Sequence, residues 1–260
     1  MIFMAKKETI SIIIPTLNEE KIIGNCLDSL LEQTKKPLEV IIIDNGSADK
    51  TLSTVKSYIS KFKGEKIALK IFLHAKGNQT NARDFGVRKS RGSIIGSLDA
   101  DACPDKNWVS SIIKNLKDQK IIGIGGKSRF RNKGFLFNLG YIAYYYLRPI
   151  IGLYCIGGGN SAFRKDAFLK VRGYNGLEEL RKKKKIYHAK DDFFLSKKFE
   201  QIGKIRFCPD MNVTLLSRVR KNRDTAKTTR IGGIIKRVFF EIIDDRKITL
   251  YIKSIKKNKK

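Results

Sequence analysis

The stretch IIGSLDADACPD, Ile94 to Asp105, ends an apolar run in two carboxylates, Asp99 and Asp101, one residue apart. Acids this close repel each other unless a cation or ligand hydroxyls lie between them. On a loop tip such a pair is often only solvated. Here two other apolar runs also end in polar residues: PTLNEE follows Ile10–Ile14, and DNGSAD follows Val40–Ile43. Carboxylates from several strand ends gathered in one crevice suit a bound divalent cation, Mg2+ or Mn2+, bridging Asp oxygens and diphosphate oxygens.

The elements that would bring them together are legible as hydrophobic patterns. Ile10–Ile14, Val40–Ile43, Ile67–Leu73 and Ile94–Leu98 are short continuous apolar runs, as expected of strands covered on both faces. Between them lie helical patterns: Ile23, Leu27, Leu30 and Leu31 behind an Asn18 cap, then Ala48, Leu52, Val55, Ile59 and Phe62, then Thr80–Ser90. The alternation predicts an α/β fold with a parallel sheet, whose ligands bind beyond the carboxyl ends of the strands. Further along, the patterns predict helices at Trp108–Leu116, Phe135–Leu147 and Asp191–Ile202 and strands at Ile121–Phe130 and Ile205–Cys208. RKKKK at 181–185 reads as a charged loop.

The common phosphate cradles are absent. No GxGxxG follows the first strand, and IIGIGGKS has Ile121 where a P-loop needs its first glycine. DADACPD is no EF-hand loop, because Cys103 and Pro104 fall where Asp or Asn and Gly belong. A nucleotide would therefore be held by carboxylates and a metal.

Five segments, SIIIPTLNEEKIIGNCLDSLLEQ, EVIIIDNGSADKT, GNQTNARDFGVRKSRGSIIGSLDADACPD, GGGNSAFRKDAF and KDDFFLSKKFEQIGK, together resemble a family 2 glycosyltransferase of GT-A fold. The resemblance covers about residues 9 to 220 and rests on five motifs in order, not on D-x-D alone. It implies a Rossmann-like, mostly parallel central sheet flanked by helices. It also implies a nucleotide-binding half at about 9–105, an acceptor half at about 106–220, and a basic amphipathic C-terminal extension at 221–260. By motif, Pro15, Leu17 and Glu19 would line the nucleotide pocket. Asp44 would accept from the uracil or guanine ring, with Asn45, Ser47 and Asp49 beside it, and Arg83 would sit near base and diphosphate. Asp99 would bind ribose or metal and Asp101 the metal and diphosphate, with Gly157, Gly158, Gly159 and Asn160 forming the sugar and acceptor loop. A plain helix cap for Ser47 and a surface salt bridge for Arg83 are the simpler alternatives.

The chemistry implied is inverting transfer of a sugar from a UDP- or GDP-sugar to an acceptor hydroxyl or lipid phosphate, in envelope polysaccharide, glycolipid or protein glycosylation. Asp192 is the expected general base with Asp191 beside it, although an acidic pair opening a helix is also ordinary capping. Relatives often carry Glu-Asp here, so Asp191 leaves the register of the base open. His188, Ser217, Arg218 and Arg220 are possible diphosphate contacts. Competing readings are an inactive GT-A-like protein that binds anionic surfaces and a nucleotidyltransferase, for which PTLNEE lacks the Gly-rich, basic loop. A glycosidase would need its two acids flanking a sugar.

Charge bears on partners. Lys+Arg 54 against Asp+Glu 25 gives +29, and from Arg218 onward there are 15 Lys/Arg against 4 Asp/Glu. An anionic membrane face and a lipid-linked acceptor such as a polyprenyl phosphate fit that excess. The Lys runs lack interleaved aromatics, which argues against specific nucleic-acid recognition. Scattered Cys26, Cys103, Cys155 and Cys208, no secretory signal and no clean spanning segment give a cytoplasmic expectation, peripheral on the inner membrane face. The stripe of Ile231, Ile234, Ile235, Val238, Phe239, Ile242 and Ile243 is expected to pack on the core or meet lipid.

Overall fold

The computed structural model describes residues 8–74, 77–150, 152, 156, 158–184, 191–216 and 246–254. In chain order the first half reads β1 (Ile10–Thr16), α1 (Ile23–Leu31), β2 (Glu39–Asp44), α2 (Thr51–Ser57), α3 (Ile59–Gly64), β3 (Ala68–Leu73), α4 (Gln79–Lys89), β4 (Ile94–Leu98) and β5 (Ala102–Pro104). The second half reads α5 (Trp108–Asn115), β6 (Ile121–Phe130), α6 (Phe135–Ile150), β7 (Asn160–Arg164), α7 (Lys165–Lys170), α8 (Leu177–Lys184), α9 (Asp191–Phe199) and β8 (Lys204–Leu215).

One eight-stranded sheet runs β3-β2-β1-β4-β7-β6-β8-β5. The first four strands are mutually parallel, with Ile13 of β1 registered on Ile41 of β2 and on Ser97 of β4. β7 enters antiparallel to β4 and β6, and β5 closes the far edge antiparallel to β8. β6 and β8 are again parallel, so the sheet is mostly parallel with antiparallel pairings at β7 and β5. Residue alternation divides the core into two layers. Ile12, Ile14, Val40 and Ile42 face Leu27, Phe62 and Trp108 on one side. Ile13, Ile41, Ile43 and Ile95 face Ala82, Phe163 and Phe194 on the other. α4 lies so close to the sheet that a Cβ on Gly86 would come within 2.7 Å of both Ile13 and Ile43.

Several local expectations change. Asn18 does not cap α1, whose N-terminal flank is Ile22. It takes a left-handed φ of 55° and its Oδ1 accepts from the Ala48 amide at 2.8 Å. The helix expected through Phe62 breaks at Tyr58, whose hydroxyl donates to Asp28 at 3.0 Å and so ties the junction to α1. The Lys run at 181–184 belongs to α8, not a loop: Leu177 and Leu180 are buried, Glu178 pairs with Arg181, and acids precede bases along the helix dipole. β8 extends far beyond Cys208. Its pairing with β6 skips from Gly125↔Phe207 to Lys127↔Asn212, an irregularity that carries Pro209, which has no amide to donate, past the ladder.

Of the basic extension, residues 246–254 are helical, and Ile248, Tyr251 and Ile252 are buried in the second core layer. Tyr251 donates to Glu179 at 2.9 Å. The 231–243 stripe lies outside the described residues. Among the described residues no helix is long and apolar enough to cross a membrane.

Candidate active site

The loops after β1 and β2 are sewn to each other. The Asn18 amide donates to Ser47 Oγ at 2.9 Å, Glu19 N to Thr51 Oγ1 at 2.7 Å, Glu20 N to Asp49 at 3.1 Å, and Lys50 N returns to Glu20 at 3.0 Å. Buried Asp44 takes Ser47 Oγ and Thr16 Oγ1 on one oxygen and the Gly46 and Ser47 amides on the other. Ser47 is thus a loop fastener, not the cap of α2, whose N-terminal flank is Lys50. Burial acts to raise Asp49, but the Thr51 hydroxyl and the Thr51 and Glu20 amides outweigh it and hold the carboxyl below its usual range. Pro15 is buried inside β1, Glu19 is buried beneath the loop, and Leu17 is exposed. The result is a stiff wall at the carboxyl ends of two strands.

Arg83 joins that wall to the second half of the chain. It projects from the buried face of α4, 4% exposed, and so is not a surface salt bridge. Its Nη2 donates to Asp99 Oδ1 at 2.5 Å and its Nη1 to Asp191 Oδ2 at 2.7 Å. Burial pulls the guanidinium pKa down, yet the Asp191 and Asp99 charges overcome it and raise it, so it stays charged. Asp191 is raised above the usual carboxylate range: burial is the main cause, Arg83 opposes it, and the neighbouring charges of Asp192 and Asp99 add to it.

The glycine loop runs between the acids. A Cβ on Gly159 would stand 2.0 Å from Asp99 Oδ2, and one on Gly158 3.4 Å from Asp192 Oδ2. The Asp99 amide also donates to Gly159 O at 3.3 Å. A side chain at position 159 would displace the Asp99 carboxylate, whereas position 158 stands at ordinary contact distance from Asp192. Asn160 follows these glycines at the start of β7. Its Oδ1 accepts from Trp108 Nε1 at 2.8 Å, and its Nδ2 donates to Lys127 O at 2.8 Å and Met211 O at 3.1 Å. Its side chain is consumed in locking β7 to the core.

The two members of the Asp191–Asp192 pair differ. Asp191 is engaged by Arg83, by Thr80 Oγ1 at 3.4 Å and by the Asp192 amide at 3.1 Å. Asp192 Oδ1 takes the Phe193 amide at 3.0 Å, while Oδ2 faces Gly158. Three further residues belong to the site: Gln79, whose Nε2 donates to Asp99 Oδ1 at 3.0 Å, Thr80, and Tyr174. Burial, then the Asp191 charge, pushes the Tyr174 hydroxyl well above its usual range. Gln79 and Thr80 were open to detection, since they lie four and three residues before Arg83 on one helix face. Tyr174 carried no such signal. Gly157, His188, Ser217, Arg218 and Arg220 lie outside the described residues.

No group of three or more His, Cys, Asp or Glu poised for a metal occurs among the described residues. Asp99 and Asp101 carry the hard carboxylate oxygens that a divalent cation shared with a ligand takes, and the Asp99 side chain keeps 32% of its surface exposed.

The family model for Glycosyl transferase family 2 matches residues 11–172. The chain belongs to that family. A Methanococcus voltae family relative, a dolichyl N-acetyl-alpha-D-glucosaminyl phosphate 3-beta-D-2,3-diacetamido-2,3-dideoxy-beta-D-glucuronosyltransferase, is 35% identical over 124 residues, covering 45% of this chain and 38% of its own. The chain thus spans well under half the length of that relative. The mannosyltransferase PcManGT from Pyrobaculum calidifontis, solved with GDP-Man and Mn2+, superposes with a TM-score of 0.66 at 17% identity over 96% of this chain and 75% of its own. S. aureus TarS 1-349 with UDP-GlcNAc gives 0.56 at 20% over 81% and 59%. These likenesses establish the GT-A fold.

Proposed function

We propose that this family 2 glycosyltransferase moves a sugar from a nucleoside-diphosphate sugar to an acceptor hydroxyl or lipid phosphate with inversion. The observation that carries the reading is the Gly158–Gly159 loop threaded between Asp99, on the donor side, and Asp192, on the other. The wall of Asp44, Asn45, Ser47, Leu17 and Glu19 receives the nucleotide, with Arg83 spanning Asp99 and Asp191. Asp99 and Asp101 would hold a divalent cation, which when bound supplies Lewis-acid stabilisation of the leaving diphosphate.

Asp192 is the base. Asp191 is spent on Arg83 and Thr80, whereas Asp192 Oδ2 lies beside the Gly158 backbone and supports the reading that it takes the acceptor's proton. The hydroxyl gives its proton to that oxygen as its own oxygen attacks the anomeric carbon, and the diphosphate leaves from the opposite face. An acceptor phosphate would need no proton removed. The GDP-Man, UDP-GlcNAc and Mn2+ of the structural neighbours and the dolichyl-linked substrate named for the archaeal relative support a nucleotide-sugar donor and a lipid-linked acceptor.

Thermal shift against UDP- and GDP-sugars, with and without Mn2+, tests the reading. A sugar nucleotide should raise Tm further when Mn2+ is present, and Asp101→Asn should erase the increment that depends on the metal. If no sugar nucleotide shifts Tm in either condition, the donor assignment fails.

A further inference from the structure

Helix α6 has two apolar faces. Inward, Tyr141 and Tyr144 are buried, Tyr141 packs edge-on against Phe130 with centroids 4.9 Å apart, and Tyr146 meets Phe207 at 5.2 Å. Outward, Leu136, Leu139, Ala143, Leu147 and Ile150 recur at intervals of three and four along one stripe, and all are exposed. Leu136 is 80% exposed, Ile150 78% and Phe135 79%, while the helix's one ionisable cation, Arg148, points inward and is buried. A water-facing helix normally carries Lys, Glu or Gln along that stripe, and this one carries none. A contiguous aliphatic strip of this length marks a surface that meets something apolar.

Electrostatics select what that is. Exposed Arg129, Arg131 and Lys133 lie just ahead of the helix, no acid lies within it, and the whole chain carries +29. A second copy would bring the same cations against themselves, which the long-range charge opposes. An anionic bilayer complements both features at once: the stripe enters the acyl boundary while the cations meet headgroups. Sixteen residues span roughly 24 Å of helix, short of the ~30 Å hydrocarbon core, so the helix lies along the surface.

We propose that α6 is a membrane-docking helix that lies flat in the interface of an anionic leaflet through Leu136, Leu139, Ala143, Leu147 and Ile150. The opposite, buried face of α6 reaches the helix that carries the candidate base. The Arg148 guanidinium sits 5.1 Å from the Tyr144 ring and 5.0 Å from the Phe193 ring, and Phe193 follows Asp192. The proposal does not depend on the donor or acceptor, so it can fail while the transferase reading stands.

The test is co-sedimentation of the full chain with vesicles of phosphatidylcholine alone or with phosphatidylglycerol at roughly one third, across a salt series. The wild type should partition onto the anionic vesicles, and Leu139→Glu/Leu147→Glu should weaken partitioning about tenfold or more at unchanged Tm. Arg131→Glu/Lys133→Glu should weaken it and flatten its salt dependence. A tryptophan reporter, Leu147→Trp, should shift its emission to the blue on binding, against the constant signal of buried Trp108. Supernatant recovery of the wild type with every vesicle overturns the proposal, as does full retention of binding by the Leu139/Leu147 variant. So does a lowered Tm or altered mass of that variant without vesicles, since protein would then already cover the face.

Discussion

The same sheet carries acids at both of its ends, and they live under opposite conditions. At the amino ends of the parallel strands, Glu39 is fully buried, yet Ser11 Oγ and the Arg91 amide each donate to it at 2.6 Å and Lys70 pairs with it at 2.8 Å. Burial acts to raise its pKa, but those hydrogen bonds and the Lys70 charge bring it down to about 2. At the carboxyl ends, Asp99 and Asp191 share one guanidinium, Asp192 adds its own charge, and Asp191 is pushed up. A carboxylate with donors on every side is a structural fastening. Carboxylates that outnumber their cations hold free energy that an incoming cation or proton can release. The ratio of donors to acids, not the presence of acids, separates scaffold from site.

The strongest way to test that contrast is Asp192→Asn. It should lower turnover by ~10²–10⁴ with sugar-nucleotide binding nearly intact, read by single-turnover kinetics beside a titration. Should Asp191→Asn instead be the dead variant while Asp192→Asn turns over, the two acids exchange roles. A smaller effect is expected from Arg83→Lys, which keeps the charge but loses the planar fork that spans two carboxylates. Turnover should drop by about 100-fold as Asp99 and Asp191 drift apart, with Tm changed little.

The smallest effect belongs to the other end. Glu39→Gln should leave activity alone and cost about 2 kcal/mol of stability at neutral pH, after discounting for the water that reaches Lys70 and Arg91. Because the folded carboxyl titrates near 2 against an ordinary 4.5, that stabilisation is complete above about pH 5 and is lost as pH falls through 2. The gap between wild type and variant in urea denaturation should therefore close on acidification. A constant gap would mean that Glu39 contributes shape and not charge.

Much of this was visible in the chain itself, and what was not has a common cause. Continuous runs such as Ile10–Ile14 and Val40–Ile43 announce strands buried on both faces, and the acids that follow them announce the binding edge. Hidden were features settled by partners far along the chain. Three-residue β5 exists because Cys103 registers on Thr214, and β8 continues beyond Cys208 because β6 and β5 hold it from both sides. The motif marks Arg83 as a site residue, but its bridge to Asp191, 108 residues later, has no sign in the sequence. The bond from the Trp108 indole to Asn160, 52 residues away, has no sign in the sequence either. By contrast the helical state of residues 181–184 has cues that are local: Leu177 and Leu180 three apart, acids first and basic residues last.

Gly86 gives the seating of α4 a meaning beyond packing. It lies one turn past Arg83 on the same face, with Ile13 and Ile43 pressed where its side chain would be. The height of α4 above the sheet is thus gauged by two isoleucines, and with it the point from which Arg83 reaches both Asp99 and Asp191. Core volume in β1 and β2 thereby sets the guanidinium's position as well as the packing: a methylene gained or lost beneath the helix would shift the reach of Arg83 along with the stability of the core.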